Sequence, residues 1–133
     1  MSSDKKRVLA VDDDASICEF YDHALRLGGY DVECAPSAAK ARESLAKRRP
    51  DIILMDIMMP DQDGISFTRE LRGDAKTSDI PIIVVSGLAD AGTLNDALLF
   101  GAVDYMVKPI ELDALTDKIE RTFAALQRRK KTP

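Results

Sequence analysis

The sequence predicts an α/β fold: a doubly wound parallel sheet of five strands with five helices. Three observations predict it. Two hydrophobic periods alternate along the 133 residues, the short runs are rich in Val and Ile, and Gly, Pro, Asp or Ser bounds each run. Strands are expected at Arg7 to Val11, Tyr30 to Ala35, Asp51 to Met55, Ile80 to Val85 and Val103 to Val107. Between them, Ala15 to Leu27 places Ile17, Phe20, Tyr21, Ala24 and Leu25 on one helical face. Ser37 to Lys47, Ile65 to Arg72, Ala91 to Phe100 and Glu111 to Gln127 carry similar spacing. Asp14, Ser37 and Asp90 stand where N-caps belong, and Gly28-Gly29 and Gly101 where left-handed helix ends belong. No internal repeat, low-complexity segment or linker interrupts the alternation. One domain over residues 7–127 is expected, with an N-terminal tail at 1–6 and a basic C-terminal tail at 128–133.

Composition narrows the class. Hydrophobic content of 45% with 32% charge is that of a globular chain with a core. Apolar runs such as Ile80 to Val85 fall far short of the roughly 18 residues that span a membrane, and the opening Met1-Ser2-Ser3-Asp4-Lys5 has no apolar signal core. A cytoplasmic protein without a membrane partner is expected. Cys18 and Cys34 form no metal spacing; as thiols of a cytosolic chain they read as buried apolar filler without function. Of the net charge of −4, the run Arg128-Arg129-Lys130-Lys131 contributes +4, which leaves −8 for the rest. An acidic body argues against nucleic acid as a ligand of this domain. The basic run reads as a solvated helix end.

The chemistry gathers at strand ends. Asp12 and Asp13 follow Val8 to Val11, Asp56 follows Ile52 to Met55, Ser86 follows Ile82 to Val85, and Lys108 follows Tyr105 to Val107. In a parallel sheet these ends share one edge, so three carboxylates, a hydroxyl and an amine converge. Asp14 is read only as a cap. Two carboxylates about 4 Å apart repel by roughly 4 kcal/mol at an effective dielectric near 20, about three pKa units, so such a site calls for a proton or a cation. Oxygen-only donors suit Mg²⁺, with Mn²⁺ as a substitute. Lys108, held by the Lys108-Pro109 bond, aims at the crevice, and Ser86 with Gly87 either punctuates a turn or offers a hydroxyl to a phosphoryl oxygen. His23 lies on the first helix away from these ends and is assigned no role.

Four ordered motifs carry a resemblance. Val8-Leu9-Ala10-Val11-Asp12-Asp13, Ile52 through Asp56 to Gly64, Pro81 through Ser86 to Gly87, and Gly101 through Tyr105 and Lys108 to Pro109 resemble the receiver domain of bacterial two-component response regulators. The resemblance spans Arg7 to Leu126. It implies a CheY-like, flavodoxin-like strand order 2-1-3-4-5. It further implies Asp56 as phosphoacceptor from a histidine kinase or phosphotransfer protein, Asp12 and Asp13 as acidic partners of Mg²⁺ beside Asp56, and Met58 as a metal ligand through its backbone carbonyl. Lys108 becomes the phosphate partner, Ser86 the switch hydroxyl and Tyr105 the switch aromatic that turns inward. Such a protein is a signalling phosphoacceptor that catalyses only its own phosphorylation and dephosphorylation. Its face over Ala91 to Phe100, Val103 to Val107 and the last helix would address a downstream effector or output domain, with a phosphorylation-dependent homodimer left open.

Two residues depart from the commonest pattern. Met58 and Leu88, each two positions beyond an active residue, are apolar where many members are polar, so slow loss of the phosphate is expected from water exclusion. Ser86 replaces the more frequent threonine and keeps its hydroxyl. Two readings from other classes are disfavoured. An aspartyl-phosphate phosphatase wants a second Asp where Met58 stands, and a flavin-binding electron carrier wants a neutral, hydroxyl-rich loop where Asp12 to Asp14 stand. The chain reads as a stand-alone receiver or one excised from a longer regulator.

Overall fold

A computed structural model describes residues 5–131, with side chains through Arg129. Ten elements alternate without exception: β1 (Arg7–Val11), α1 (Ala15–Leu27), β2 (Asp31–Ala35), α2 (Ala38–Lys47), β3 (Ile52–Met55), α3 (Gly64–Arg72), β4 (Ile82–Ser86), α4 (Ala91–Leu99), β5 (Asp104–Val107) and α5 (Leu112–Lys131). All strand pairs are parallel, in the order β2-β1-β3-β4-β5. The fold class and strand order are those expected.

The strands lack polar alternation because both faces of the sheet are covered. Leu9, Val11, Ile53, Met55, Ile82 and Val84 pack against Ala38 and Ala41 of α2, Phe67 and Leu71 of α3, and Ala97 of α4. Their neighbours Val8, Ala10, Ile52, Leu54, Ile83 and Val85 pack against Tyr21 and Leu25 of α1 and Leu115 and Ile119 of α5. Alternate residues of each strand therefore feed two cores, and every apolar residue of a central run is used.

Element ends moved for identifiable reasons. Tyr30 donates its N–H to Leu25 O and so finishes α1 rather than starting β2. Ile80 likewise donates to Thr77 O, within the turn before β4. Ser37 lies outside α2 as its N-cap, accepting from Lys40 N, while Asp14 and Asp90 cap α1 and α4 as expected. Gly28 has φ −81° and is not left-handed; Gly29 at +89° and Gly101 at +118° are. The last helix runs on to Lys131, so Arg128 and Arg129 belong to α5 rather than to a tail. Residues 1–4 of the expected N-terminal tail and residues 132–133 of the C-terminal one lie outside the described residues, as do the side chains of Lys130 and Lys131.

The largest correction concerns the cysteines. Cys18 of α1 and Cys34 of β2 are bonded to each other, with Cα atoms 5.8 Å apart. They are not free thiols, and both are only partly buried, Cys34 against the core shared with α1 and α5. Edge strand β2 lies beneath α1, and that packing brings together two residues whose spacing in the chain gives no hint of it.

Candidate functional site

The register sets the site. Val11 pairs with Met55 across β1 and β3, so the next residues, Asp12 and Asp56, leave the sheet side by side. Main-chain bonds continue past the strands: Asp12 N donates to Ala35 O at 3.0 Å, Asp56 N to Val11 O at 2.9 Å, and Lys108 N to Ser86 O at 2.8 Å. The reactive residues thus stand on extensions of the ladder, not on free loops. Lys108 precedes Pro109 through a cis peptide bond.

Asp12, Asp56 and Ser86 are buried, Asp13 is exposed, and Lys108 reaches in between them. Its Nζ lies 2.8 Å from Asp12 Oδ2 and 3.3 Å from Asp56 Oδ1. One ammonium therefore faces two carboxylates. Burial, then the neighbouring Asp12 charge, raises the Asp56 pKa above the ordinary carboxylate value, with Lys108 opposing both. Burial works against the Lys108 charge, but bonding to Asp12 and the charges of Asp12 and Asp56 outweigh it, and the lysine pKa is raised. Below the site, burial and the same two carboxylates push the Tyr21 hydroxyl up as well.

One carboxylate oxygen each from Asp12, Asp13 and Asp56 lie within 4.8 Å of one another. This donor set is all oxygen and carries charge that Lys108 alone does not neutralise, so the residues fit a hard divalent cation such as Mg²⁺. Asp14, Met58, Ser86, Gly87 and Leu88 complete the lining of a cleft of about 270 Å³ over these groups. Larger clefts open beside α5, of about 330, 400 and 490 Å³. None of the three holds that acidic cluster, and convergence of charge rather than size marks the site. Asp14 spends its carboxylate on the N–H groups of Ser16 and Ile17.

Ser86 Oγ accepts the N–H of Leu88 at 3.2 Å, which leaves its own proton to donate. Tyr105 does not line the cleft. Its ring is already inside, and its hydroxyl donates to Leu88 O, so Ser86 and Tyr105 hold one turn from two sides. The inward position expected only after phosphorylation is present here. Met58 and Leu88, the expected shields, sit at the rim with 68% and 39% of their surfaces exposed.

Two supporting residues stand in a quoted motif but were given no role of their own. A Cβ on Gly64 would fall 2.0 Å from Asp56 O, so only glycine lets the start of α3 pass behind the acidic residue. Asp61 accepts from Ala38 N at 3.1 Å and Ala39 N at 2.9 Å, which ties the loop bearing Met58 to the start of α2 and holds the Asp61 carboxyl below its ordinary range. The Asp63-Gly64 pair at a helix start was a legible signal for the first; the second is a contact over 23 residues with no local signature.

The family model of the response regulator receiver domain matches residues 8–120. The chain belongs to that family. Among curated relatives, this receiver is 39% identical over 126 residues to the transcriptional regulatory protein PrrA of Mycobacterium tuberculosis, covering 95% of this chain and 52% of that one. It is 35% identical over 124 residues to ZraR of Escherichia coli O157:H7, covering 93% of this chain and 28% of that one. The chain thus spans about half or less of the curated relatives it matches. Among solved structures, the chemotaxis protein CheY4 of Vibrio cholerae is 30% identical with a TM-score of 0.84, over 88% of this receiver and 98% of that chain. Among the described residues, no helix is long and apolar enough to cross a membrane.

Proposed function

We propose that this receiver takes a phosphoryl group onto Asp56 from the phosphohistidine of a histidine kinase or phosphotransfer protein. The observation that carries the reading is the placement of Lys108 Nζ between Asp12 and Asp56 at the floor of an open acidic cleft. A carboxylate oxygen of Asp56 attacks phosphorus as the bond to the histidine nitrogen breaks, and the freed imidazole takes a proton. Lys108, already charged and within reach of Asp56, neutralises the oxygens of the transferring group without reorganising. Asp12, Asp13, Asp56 and the backbone carbonyl of Met58 would hold Mg²⁺, or Mn²⁺ in its place, which when bound supplies charge neutralisation for the phosphoryl oxygens. The Ser86 proton then has an acceptor in the new phosphate. Since Leu88 N–H and Leu88 O bind Ser86 and Tyr105 respectively, a shift of Ser86 bears on Tyr105 through one residue.

The readout surface is the flank of α4, β5 and α5, where Leu94, Leu98, Leu99, Val103, Val107 and Leu112 are exposed. A downstream effector or an output domain fits that flank, as does a second phosphorylated copy. Residues 7–127 act as the signalling unit, in the cytoplasm, with nucleic acid left to other domains. The test is to incubate the protein with Mg²⁺ and a small phosphodonor and weigh it beside Asp56→Asn. One phosphate adduct on the parent and none on the variant is expected; no adduct, or equal adducts, sinks the reading.

A further inference from the structure

We propose that Cys18 and Cys34 form a reversible thiol–disulfide modification site that brings redox state to the acidic loop as a second input. Contacts other than the bond also join the elements that carry the two residues. Leu25 and Val32 share one core, Arg26 Nη2 donates to Val32 O at 3.1 Å, and the Cα separation of 5.8 Å lies inside the range a disulfide accepts. Both sulfurs belong to partly exposed residues outside the fully buried core, so a small reagent has access to them.

The link to the site is one sulfur contact. Cys18 Sγ lies 3.3 Å from the carbonyl oxygen of Asp12, and Cys18 N donates to Asp14 O at 3.0 Å. A disulfide sulfur carries no proton, so the Sγ contact is a hydrogen bond only in the dithiol. Oxidation replaces that weak donor with a covalent tie from the first turns of α1 to β2, fixing the far end of the loop that bears Asp12 and Asp13.

The co-reactant is a low-molecular-weight disulfide. One cysteine displaces a thiol from it to give a mixed disulfide, and the other cysteine displaces the second thiol. Two S–H bonds become one S–S bond, while two electrons and two protons convert the reagent to two thiols.

The site goes beyond the phosphoacceptor reading and is tested apart from it. The intact protein is equilibrated in mixtures of reduced and oxidised glutathione, quenched by alkylation and weighed. Two thiols are expected to disappear together in one transition within that series; a pair fully reduced or fully bonded throughout overturns the proposal. Hydrogen exchange of the amides of residues 16, 17 and 18 is expected to be slower in the oxidised form, and in the double variant Cys18→Ser with Cys34→Ser to be the same at every mixture. Equal exchange in both forms, or a response that survives in the double variant, also overturns it. At limiting Mg²⁺ the oxidised form is expected to gain phosphate about threefold faster, because its loop is preorganised. No phosphate on either form faults the phosphoacceptor reading instead, leaving thiol counting and exchange to decide this one; equal rates fault this one.

Discussion

The flank of the sheet that carries the carboxylates is packed on both faces, whereas the flank that follows Ser86 is thinly covered. β1 and β3 are buried at every residue, and α3 buries Gly64, Phe67, Thr68 and Leu71. Beyond β4, α4 buries only Ala97 and β5 only Tyr105. Burying one large apolar side chain contributes about 1.5–3 kcal/mol, so displacing α3 costs several times what displacing α4 costs. Acid chemistry thus stands on a frame that resists movement, and the residues that would report it stand where movement is cheap. A two-state switch needs that division, because phosphate contacts tip only a gap of a few kcal/mol.

The largest expected effect tests the packing contrast directly. Phe67→Ala, inside the core of α3, should destabilise the domain by about 3–5 kcal/mol, whereas Leu98→Ala, on the open face of α4, should stay within about 0.5 kcal/mol. Urea unfolding measures both; similar losses would erase the contrast. Next comes the charge that the thin flank sends across to the stiff one. Lys108→Ala removes the cation between Asp12 and Asp56 and should slow phosphate gain from a small donor about 10²-fold, near 3 kcal/mol. A rate within threefold of the parent would leave Lys108 as a structural ion-pair partner alone.

A smaller effect lies in the pH dependence of stability. Folding raises the Asp56 pKa, so its contribution is fully present below the ordinary carboxylate range and is lost as pH rises through the raised value. Asp56→Asn avoids that loss. The variant should melt higher than the parent at pH 7, with the difference shrinking toward pH 3. Lys108 stays charged across this window, so it does not reverse the sign. A variant that melts lower at pH 7 would show that Asp56 gains more from Lys108 than it loses to burial and Asp12.

The stiff flank was also the legible one. A strand buried on both faces writes itself as an unbroken apolar run, and a polar residue at its end is conspicuous; Asp12, Asp56 and Ser86 were found that way, and Lys108 at the end of the shorter run of β5. What the sequence hid depends on contacts between distant segments. The Cys18–Cys34 bond needs the packing of α1 on β2, the grip of Asp61 on α2 needs two loops to meet, and the inward Tyr105 needs the Leu88 carbonyl as partner. The end of α5 was missed for a different reason: a basic run favours a helix C-terminus electrostatically, yet the same residues also extend a helix readily.

The smallest expected effect samples one residue from each flank. Met58 follows β3 and Leu88 follows β4, and both edge the cleft with apolar surface. A phosphate on Asp56 is lost when water attacks from the open side, and a polar side chain at the rim would hold such water by hydrogen bonding. Met58→Asn and Leu88→Glu should therefore shorten the lifetime of the adduct, by about threefold each, near 0.6 kcal/mol. Their exposure keeps the expectation modest, because a rim residue screens only part of the approach. The comparison between flanks sharpens it further. Asp61 anchors the loop of Met58, so Asn at that position meets a fixed site and its effect should be the same with Tyr105→Phe as without it. Leu88 belongs to the turn held by Ser86 and Tyr105, so its effect should weaken in Tyr105→Phe, where one of the two holds is gone. Lifetimes followed by mass spectrometry decide the matter. Unchanged values for both single variants would end the shielding idea, and a Leu88→Glu effect indifferent to Tyr105→Phe would show that this turn is as rigid as the carboxylate flank.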